Sequence, residues 1–242
     1  MHGIAGIRSF IRCVDHGIGF EAVVFSKRLL IASTAQMLLR RLRAGGTPTI
    51  AVSPERYRRM SWEARASGIM AIVRRHEGPL TPPERDSVWV CVGEIRSPGN
   101  LGTLLRSAEA VGASGLICLG GAADPFDPRA VRASMGSLFA LRIARASGAE
   151  LRAWADGYGV QLVGADPAGE VVYDTAVYRR PCVLVLGEER RGLTAEQRAA
   201  CGSLVRIPMA AGCDSLNVGV AGSLLLYAAR RQRERAERPG KG

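Results

Sequence analysis

Apolar positions along the 242 residues recur at intervals that alternate between those of a strand and those of a helix. Residues 4–14 carry a helix-like period, and residues 20–25 (FEAVVF) form an apolar run of strand length. Residues 34–42 (TAQMLLRRL) predict a basic amphipathic helix capped by Ser33. A strand at 49–52, a short helix at 54–60 with proline in its first turn, and a strand at 69–73 complete a small α/β unit over residues 1–76. The stretch HEGPLTPPER at 76–85 has three prolines and no apolar period, so residues 77–86 read as a linker to a second domain at 87–242.

The second domain opens with a strand (VWVCVG), a loop (EIRSPGN), a helix (LGTLLRSAEAVG) and another strand (GLICLG). A helix at about 131–138 and a strand at 161–165 follow. Next comes a buried strand at 183–186 ending in Gly187, a charged turn, and Gly192-Leu193 before a polar helix capped by Thr194. A short apolar strand stops at Pro208, a loop of small residues follows, and an apolar helix is expected from near Ser215. The basic tail, 230–242, is expected to prolong that helix and then fray. Alternating strands and helices of this kind predict an α/β fold around a mostly parallel sheet. Loops at the carboxyl ends of such strands are where ligands are held, and two of them close in sequence point to one pocket.

Composition narrows the chemistry. With 47% hydrophobic residues the chain can bury a sizeable core. No apolar run approaches membrane-spanning length and the amino terminus lacks the apolar stretch of a secretory signal, so no membrane partner and a cytoplasmic location are expected. The formal net charge of +11 suggests a polyanionic partner, although arginine far outnumbers lysine, as GC-biased coding also produces. Aromatics make up 5% of the chain and do not interleave with the basic clusters, which argues against a stacking platform for single strands. Six scattered cysteines without a CxxC pair read as structural thiols, and His2, His16 and His76 stand apart, so no metal site is expected.

Three blocks carry the candidate chemistry. The first, Asn100-Leu-Gly-Thr-Leu-Leu-Arg106, is an NxGxxxR pattern at a loop-to-helix junction; Asn100 can cap the helix and Arg106 falls about one and a half turns in. The second is Gly187-Glu-Glu189-Arg-Arg-Gly192-Leu193, and the third pairs Ile207-Pro-Met209 with Ser215-Leu216-Asn217-Val218. In this order the blocks resemble the SPOUT superfamily of S-adenosylmethionine-dependent methyltransferases, in its TrmH-type branch of RNA ribose 2′-O-methyltransferases. The pattern there is N-x-G-x-x-x-R, G-x-E-x-x-G-L, then I-P-M with S-L-N-V. Arg132-Ala-Ser134-Met-Gly136 is a weaker fourth match. The resemblance covers residues 88–233 and extends to members that confer antibiotic resistance by modifying large-subunit ribosomal RNA.

The resemblance implies a carboxyl-terminal SPOUT α/β domain with a deep trefoil knot, built here from residues 183–226, behind a small α/β substrate-binding domain. Gly187, Gly192, Gly212, Gly219 and Gly222 would leave room for close chain crossing, as loop glycines also do without a knot. It implies S-adenosylmethionine held by backbone groups around Leu186, Gly187, Ile207, Met209 and Leu216, and a homodimer in which the arginine of one subunit serves the other's pocket. Arg106 would stabilise developing negative charge or position phosphate or ribose, with proton acceptance second, since a guanidinium is a poor base. Asn100 would orient the substrate. Glu189 would order the turn or contact Arg106 or substrate, or is a solvated turn residue. Ser215 and Asn217 would border the reacting hydroxyl or cap the last helix.

The first domain resembles, more loosely, a ribosomal-protein-like RNA-binding domain, with Ser67-Gly68-Ile69-Met70-Ala71 near a Gln-Gly-Ile-x-Ala pattern. Arg40, Arg41 and Arg43, and Arg56, Arg58 and Arg59, would grip phosphates or form solvated helix faces. Glu188 and Arg190 depart from the small polar residue and glycine usual in the resembling family, and Ser97 departs from its asparagine or aspartate. These departures, on the expected substrate side, point toward an unusual target such as a free nucleoside or nucleotide, while the three motifs and the charge make ribosomal or transfer RNA the expected substrate. The alternatives are a free nucleoside-like small molecule or a non-catalytic knotted RNA-binding protein.

Overall fold

The computed structural model describes residues 1–120, 124–213 and 215–237, so the end of the basic tail, where fraying is expected, lies outside the described residues. Contacts divide the chain into two compact units. The first joins Met1–His76 to Pro125–Ala140, and the second joins Glu77–Asp124 to the chain from Leu141 onward.

The first unit is a four-stranded sheet of β1 (His2–Ala5), β2 (Phe20–Phe25), β3 (Thr49–Ala51) and β4 (Ile69–Val73), with helices α1 (Ile7–Asp15), α2 (Ser33–Ala44) and α3 (Pro54–Met60). The spatial order is β1-β4-β2-β3; β4 runs antiparallel to both neighbours and β3 parallel to β2. The single helix expected over 4–14 is in fact β1 and α1, separated by Gly6 at φ 102. Ile4, Phe10 and Cys13 are all buried, so the apolar spacing reads the same whether a strand precedes the helix or not. Ser33 does not cap α2 but is its first residue, and Ala32 before it offers no side-chain acceptor. Ser53 does cap α3, its Oγ accepting from the Arg56 N–H at 3.2 Å.

The helix expected over 131–138 is α5 (Pro128–Ala133), capped by Asp127, and then one 3-10 turn at Ser137–Ala140. Met135 at φ 53 and Gly136 at φ 91 interrupt it. Phe126 and Phe139 of this segment pack on His2 and His76, with ring centroids 4.8 to 6.2 Å apart. A linear reading assigns 125–140 to the second domain; its aromatic anchors place it in the first unit.

In the second unit every pairing of the eight-stranded sheet is parallel, in the order β10-β12-β9-β11-β6-β7-β8-β5. The strands are β5 (Glu77–Gly78), β6 (Val88–Val92), β7 (Gly115–Leu119), β8 (Arg142–Ala146), β9 (Gln161–Ala165), β10 (Val171–Val172), β11 (Cys182–Leu186) and β12 (Ser203–Arg206). The helices are α4 (Pro98–Ala110), α6 (Gly148–Tyr158), α7 (Ala195–Ala200) and α8 (Val218–Glu237). β6, β7 and β11 are buried along their whole length, because helices cover both faces of the sheet. Trp89, Cys91, Val183 and Val185 share a core with Leu151 and Trp154 of α6. α8 packs on α4 and β11, so closely that a Cβ on Gly222 would come within 2.5 Å of Leu104 Cδ1 and 2.6 Å of Leu186 Cδ1.

Part of the expected linker is bound to this unit. β5 adds to the sheet beside β8, Leu80 packs on the core, and Trp154 Nε1 donates to the Thr81 carbonyl at 2.9 Å. β8 and α6 do not stand out in the apolar pattern, although α6 carries a Ser147/Glu150 capping box and ends at Gly159 with φ 63.

β11 ends at Gly187, where a Cβ would lie 2.0 Å from the carbonyl carbon of Gly192 and 2.2 Å from the Leu193 nitrogen. Backbone cannot yield as a side-chain tip can. Gly187→Ala is expected to destabilise the protein by about 3 kcal/mol, read as a lowered Tm against Gly148→Ala, whose added Cβ meets nothing within 4 Å. Equal Tm values for the two variants would show that the turn opens freely.

Candidate active site

β6 pairs with β7 on one side and β11 on the other, so the chain reverses its direction of travel across the sheet between β6 and β11. The crevice above such a switch point is the natural ligand site of a parallel sheet. Loops leaving β6, β9, β11 and β12 converge there.

The loop after β6 leads into α4 through Ser97, whose Oγ accepts from the Asn100 N–H at 3.4 Å. Ser97, not Asn100, is therefore the cap. The helix starts at Pro98, which puts Arg106 more than two turns in, deeper than the one and a half expected. Freed from capping, the Asn100 side chain joins the other motifs: its Nδ2 donates to Glu189 Oε1, and its Oδ1 accepts from Asn217 Nδ2 at 2.7 Å.

Glu189 is committed to the same loop. Its Oε2 accepts from the backbone N–H groups of Arg96 at 3.0 Å and Ser97 at 3.2 Å, and its own N–H donates to the Glu94 carbonyl at 3.1 Å. Charge-assisted bonds to backbone donors are the stronger kind. A solvated turn residue is thereby ruled out for Glu189; it latches the turn after β11 to the loop after β6. Asn217 does cap the last helix, its Oδ1 accepting from Gly219 N–H at 2.9 Å and Val220 N–H at 3.3 Å, so α8 begins at Val218 and not near Ser215.

Beside this chain of hydrogen bonds lies a cavity of about 450 Å³. All five residues expected to hold a cofactor, Leu186, Gly187, Ile207, Met209 and Leu216, line it. Glu189 and Ser215 line it too, whereas Asn100, Asn217 and Arg106 do not. Arg106 is exposed on α4 and its side chain makes no hydrogen bond or ion pair with a described residue. Asp166 and Arg198 are among the members of the wall that the sequence does not single out. Asp166, 4% exposed at the end of β9, accepts from the Ala168 N–H at 2.9 Å and sits 2.9 Å from Arg198 Nε. An acid directly after an apolar strand, in Gly164-Ala165-Asp166, was the available signal. A larger cavity of about 990 Å³ opens beside α6 and α7, but none of the ten expected site residues lines it.

The remaining chemistry is limited. Among the described residues no group of three or more His, Cys, Asp or Glu is placed to hold a metal ion. Burial pushes the Cys182 and Cys201 thiols up to about 11, which keeps them protonated and non-nucleophilic at neutral pH. An apolar cleft with a few fixed polar groups suits a heterocycle with a polar tail.

A model of the SpoU rRNA Methylase family matches residues 87–227. A 23S rRNA (uridine(2479)-2′-O)-methyltransferase from Streptomyces viridochromogenes is 34% identical over 239 residues, covering 95% of this chain and 82% of that protein. The solved structure of the SpoU methyltransferase AviRb from the same organism, in complex with the cofactor AdoMet, aligns with a TM-score of 0.86 at 33% identity, covering 96% of this chain and 90% of the other. An AdoMet-bound rRNA methyltransferase from Sinorhizobium meliloti aligns with the same TM-score at 32% identity, over 96% and 87% of the two chains.

Glu189→Ala removes the acceptor for three donors and is expected to cost about 1–3 kcal/mol locally. Amide hydrogen exchange at Arg96 and Ser97 should accelerate at least tenfold while that of Val90 in β6 holds. Unchanged exchange at both loop amides would mean that the loop is held by something other than this carboxylate.

Proposed function

The chain belongs to the SpoU rRNA methylase family, and on that premise we propose that it transfers the methyl group of S-adenosylmethionine to a ribose 2′-hydroxyl of ribosomal RNA, acting in the cytoplasm as a homodimer. The observation that carries this reading is the Asn217–Asn100–Glu189 hydrogen-bond chain, which ties three motif segments together at the edge of one cavity. The Streptomyces relative acts, by its name, on a uridine 2′-hydroxyl of 23S rRNA. The same class of RNA is the substrate proposed for this chain, and the six exposed arginines of α2 and α3 favour a polymer over a free nucleoside.

The cavity fits the cofactor. Leu186, Ile207, Met209 and Leu216 give apolar walls for the adenine ring, and the buried Asp166 beside Arg198 offers charged partners for its polar groups. The bound cofactor supplies an electrophilic methyl group on a sulfonium. The knot expected of the family over 183–226 accounts for Gly187 and Gly222, where backbone and side chains leave no space for a Cβ.

The 2′-oxygen must lose its proton as it attacks, so the chain's task is alignment and stabilisation of the growing negative charge. Arg106 suits that task, because a guanidinium is a planar cation with several N–H donors that can face developing negative charge. Asn100, fixed from both sides, orients the ribose. Arg106 lies outside the lining of the cavity, and on the adjoining α8 Val220 and Tyr227 are 44% and 54% exposed. A dimer in which the arginine of one subunit completes the partner's pocket accounts for both features.

Incubation with tritiated S-adenosylmethionine and total RNA should place label in acid-precipitable ribosomal RNA, at a 2′-O-methyl group after nuclease digestion. Label confined to small molecules would overturn the substrate. Arg106→Ala should lower kcat about a thousandfold, in the range for losing one oxyanion donor, with cofactor affinity within twofold of the parent; undiminished turnover in that variant excludes the mechanism.

A further inference from the structure

The turn after β11 ends in two adjacent arginines that the chemistry above does not use. Reciprocal backbone hydrogen bonds between Glu188 and Gly192, at 2.8 and 2.9 Å, close this turn, and Gly192 adopts φ 68 to complete it. Arg190 and Arg191 stand exposed at its tip, and their side chains make no hydrogen bond or ion pair with a described residue. Both line the cofactor cavity, and both also line a smaller polar cavity of about 230 Å³ next to it, so they occupy the junction of the two.

The other walls of the small cavity are Glu94, Arg96, Glu188 and Glu189. Most of that charge is spent internally. Arg96 Nε donates to Glu94 at 3.0 Å, and Glu189 accepts from two backbone amides and Asn100. The formal charges of these walls cancel, but Glu94 is paired with Arg96 and Glu189 is turned to the loop after β6, which leaves Arg190 and Arg191 as guanidinium donors exposed at the cavity and without a partner among the described residues. The motif G-x-E-x-x-G-L specifies Gly187, Glu189, Gly192 and Leu193 and leaves positions 188, 190 and 191 open, so these side chains are free to serve this chain's own substrate.

We propose that Arg190 and Arg191 clamp the phosphodiester groups flanking the target nucleotide, and that this clamp restricts the enzyme to polymeric RNA. The inference rests on the RNA methyltransferase reading. A ribose 2′-hydroxyl is vicinal to the oxygen that carries the 3′-phosphodiester, so fixing that phosphate brings the hydroxyl to the cavity mouth. Planar guanidinium forks match phosphate oxygens two at a time. Phosphate contacts of this kind set register and orientation without reading base sequence.

The test compares the full-length protein with R190Q/R191Q, R190K/R191K and the single variant R190Q, using ribosomal RNA and tritiated S-adenosylmethionine. R190Q/R191Q should raise KM for RNA about ten- to a hundredfold, as expected for losing charged hydrogen bonds, while kcat falls less than threefold and the cofactor Kd holds. The slope of log K against log salt for RNA binding should become shallower by about 1.5, because two phosphates are no longer neutralised. R190K/R191K should restore the slope but only part of KM, and R190Q alone should give an intermediate KM. Unchanged KM and salt slope, or a weakened cofactor Kd with RNA binding intact, would overturn the clamp. Should the parent enzyme label no RNA, the methyltransferase reading falls by itself, and the salt slope of RNA binding still decides whether the two arginines contact phosphate.

Discussion

Glu189 belongs to the turn after β11, yet both of its carboxylate oxygens are spent on the segment that follows β6. The two strands are sheet neighbours, so the latch spans a short gap and draws on rigid supports at both ends. Its consequences run outward in order. Asn100 is held by Glu189, Asn217 is held by Asn100, and Asn217 sets where α8 starts. Ser215 and Leu216, just before that start, form part of the cavity wall. One ionised group thus coordinates three loops that no single secondary-structure element could align.

The latch is anchored on two fully buried neighbouring strands. β6 and β11 are covered on both faces, and burying a Val or Leu side chain fully is worth roughly 1.5–3 kcal/mol each. Gly187 and Gly222 tighten the same region: one lets the turn after β11 touch itself, and the other lets α8 lie against Leu104 and Leu186. Apolar burial supplies the stability, and the polar chain above it supplies the arrangement.

Charge is distributed for a different purpose. The arginines of α2, of α3 and of the turn after β11 are exposed, whereas the ion pair on the cavity wall involves an aspartate that is almost fully buried. Exposed cations draw a polyanion from a distance at little structural cost, and this attraction weakens with salt. The pair of the buried Asp166 with the half-exposed Arg198 forms part of a cavity wall.

Much of this was legible in the residue pattern. Strands β2, β4, β6, β7, β9 and β11, the proline in the first turn of α3 and the Thr194 cap of α7 follow from local apolar runs and turn chemistry, and the five residues that line the cavity are those implied by the family resemblance. The misreadings concern partners. Residues 4–14 look like one helix because strand and helix alike bury Ile4 and Phe10; 125–140 changes unit because Phe126 and Phe139 find His2 and His76; part of the proline-rich linker is bound because β8 offers an open edge. Asn100 loses the capping role to Ser97 and gains two partners, 89 and 117 residues away. Sequence by itself determined which residues would be apolar or charged, since those properties are local. Tertiary structure alone decided strand order, the ownership of segments and the wiring of the site, because each depends on contacts between residues far apart in the chain.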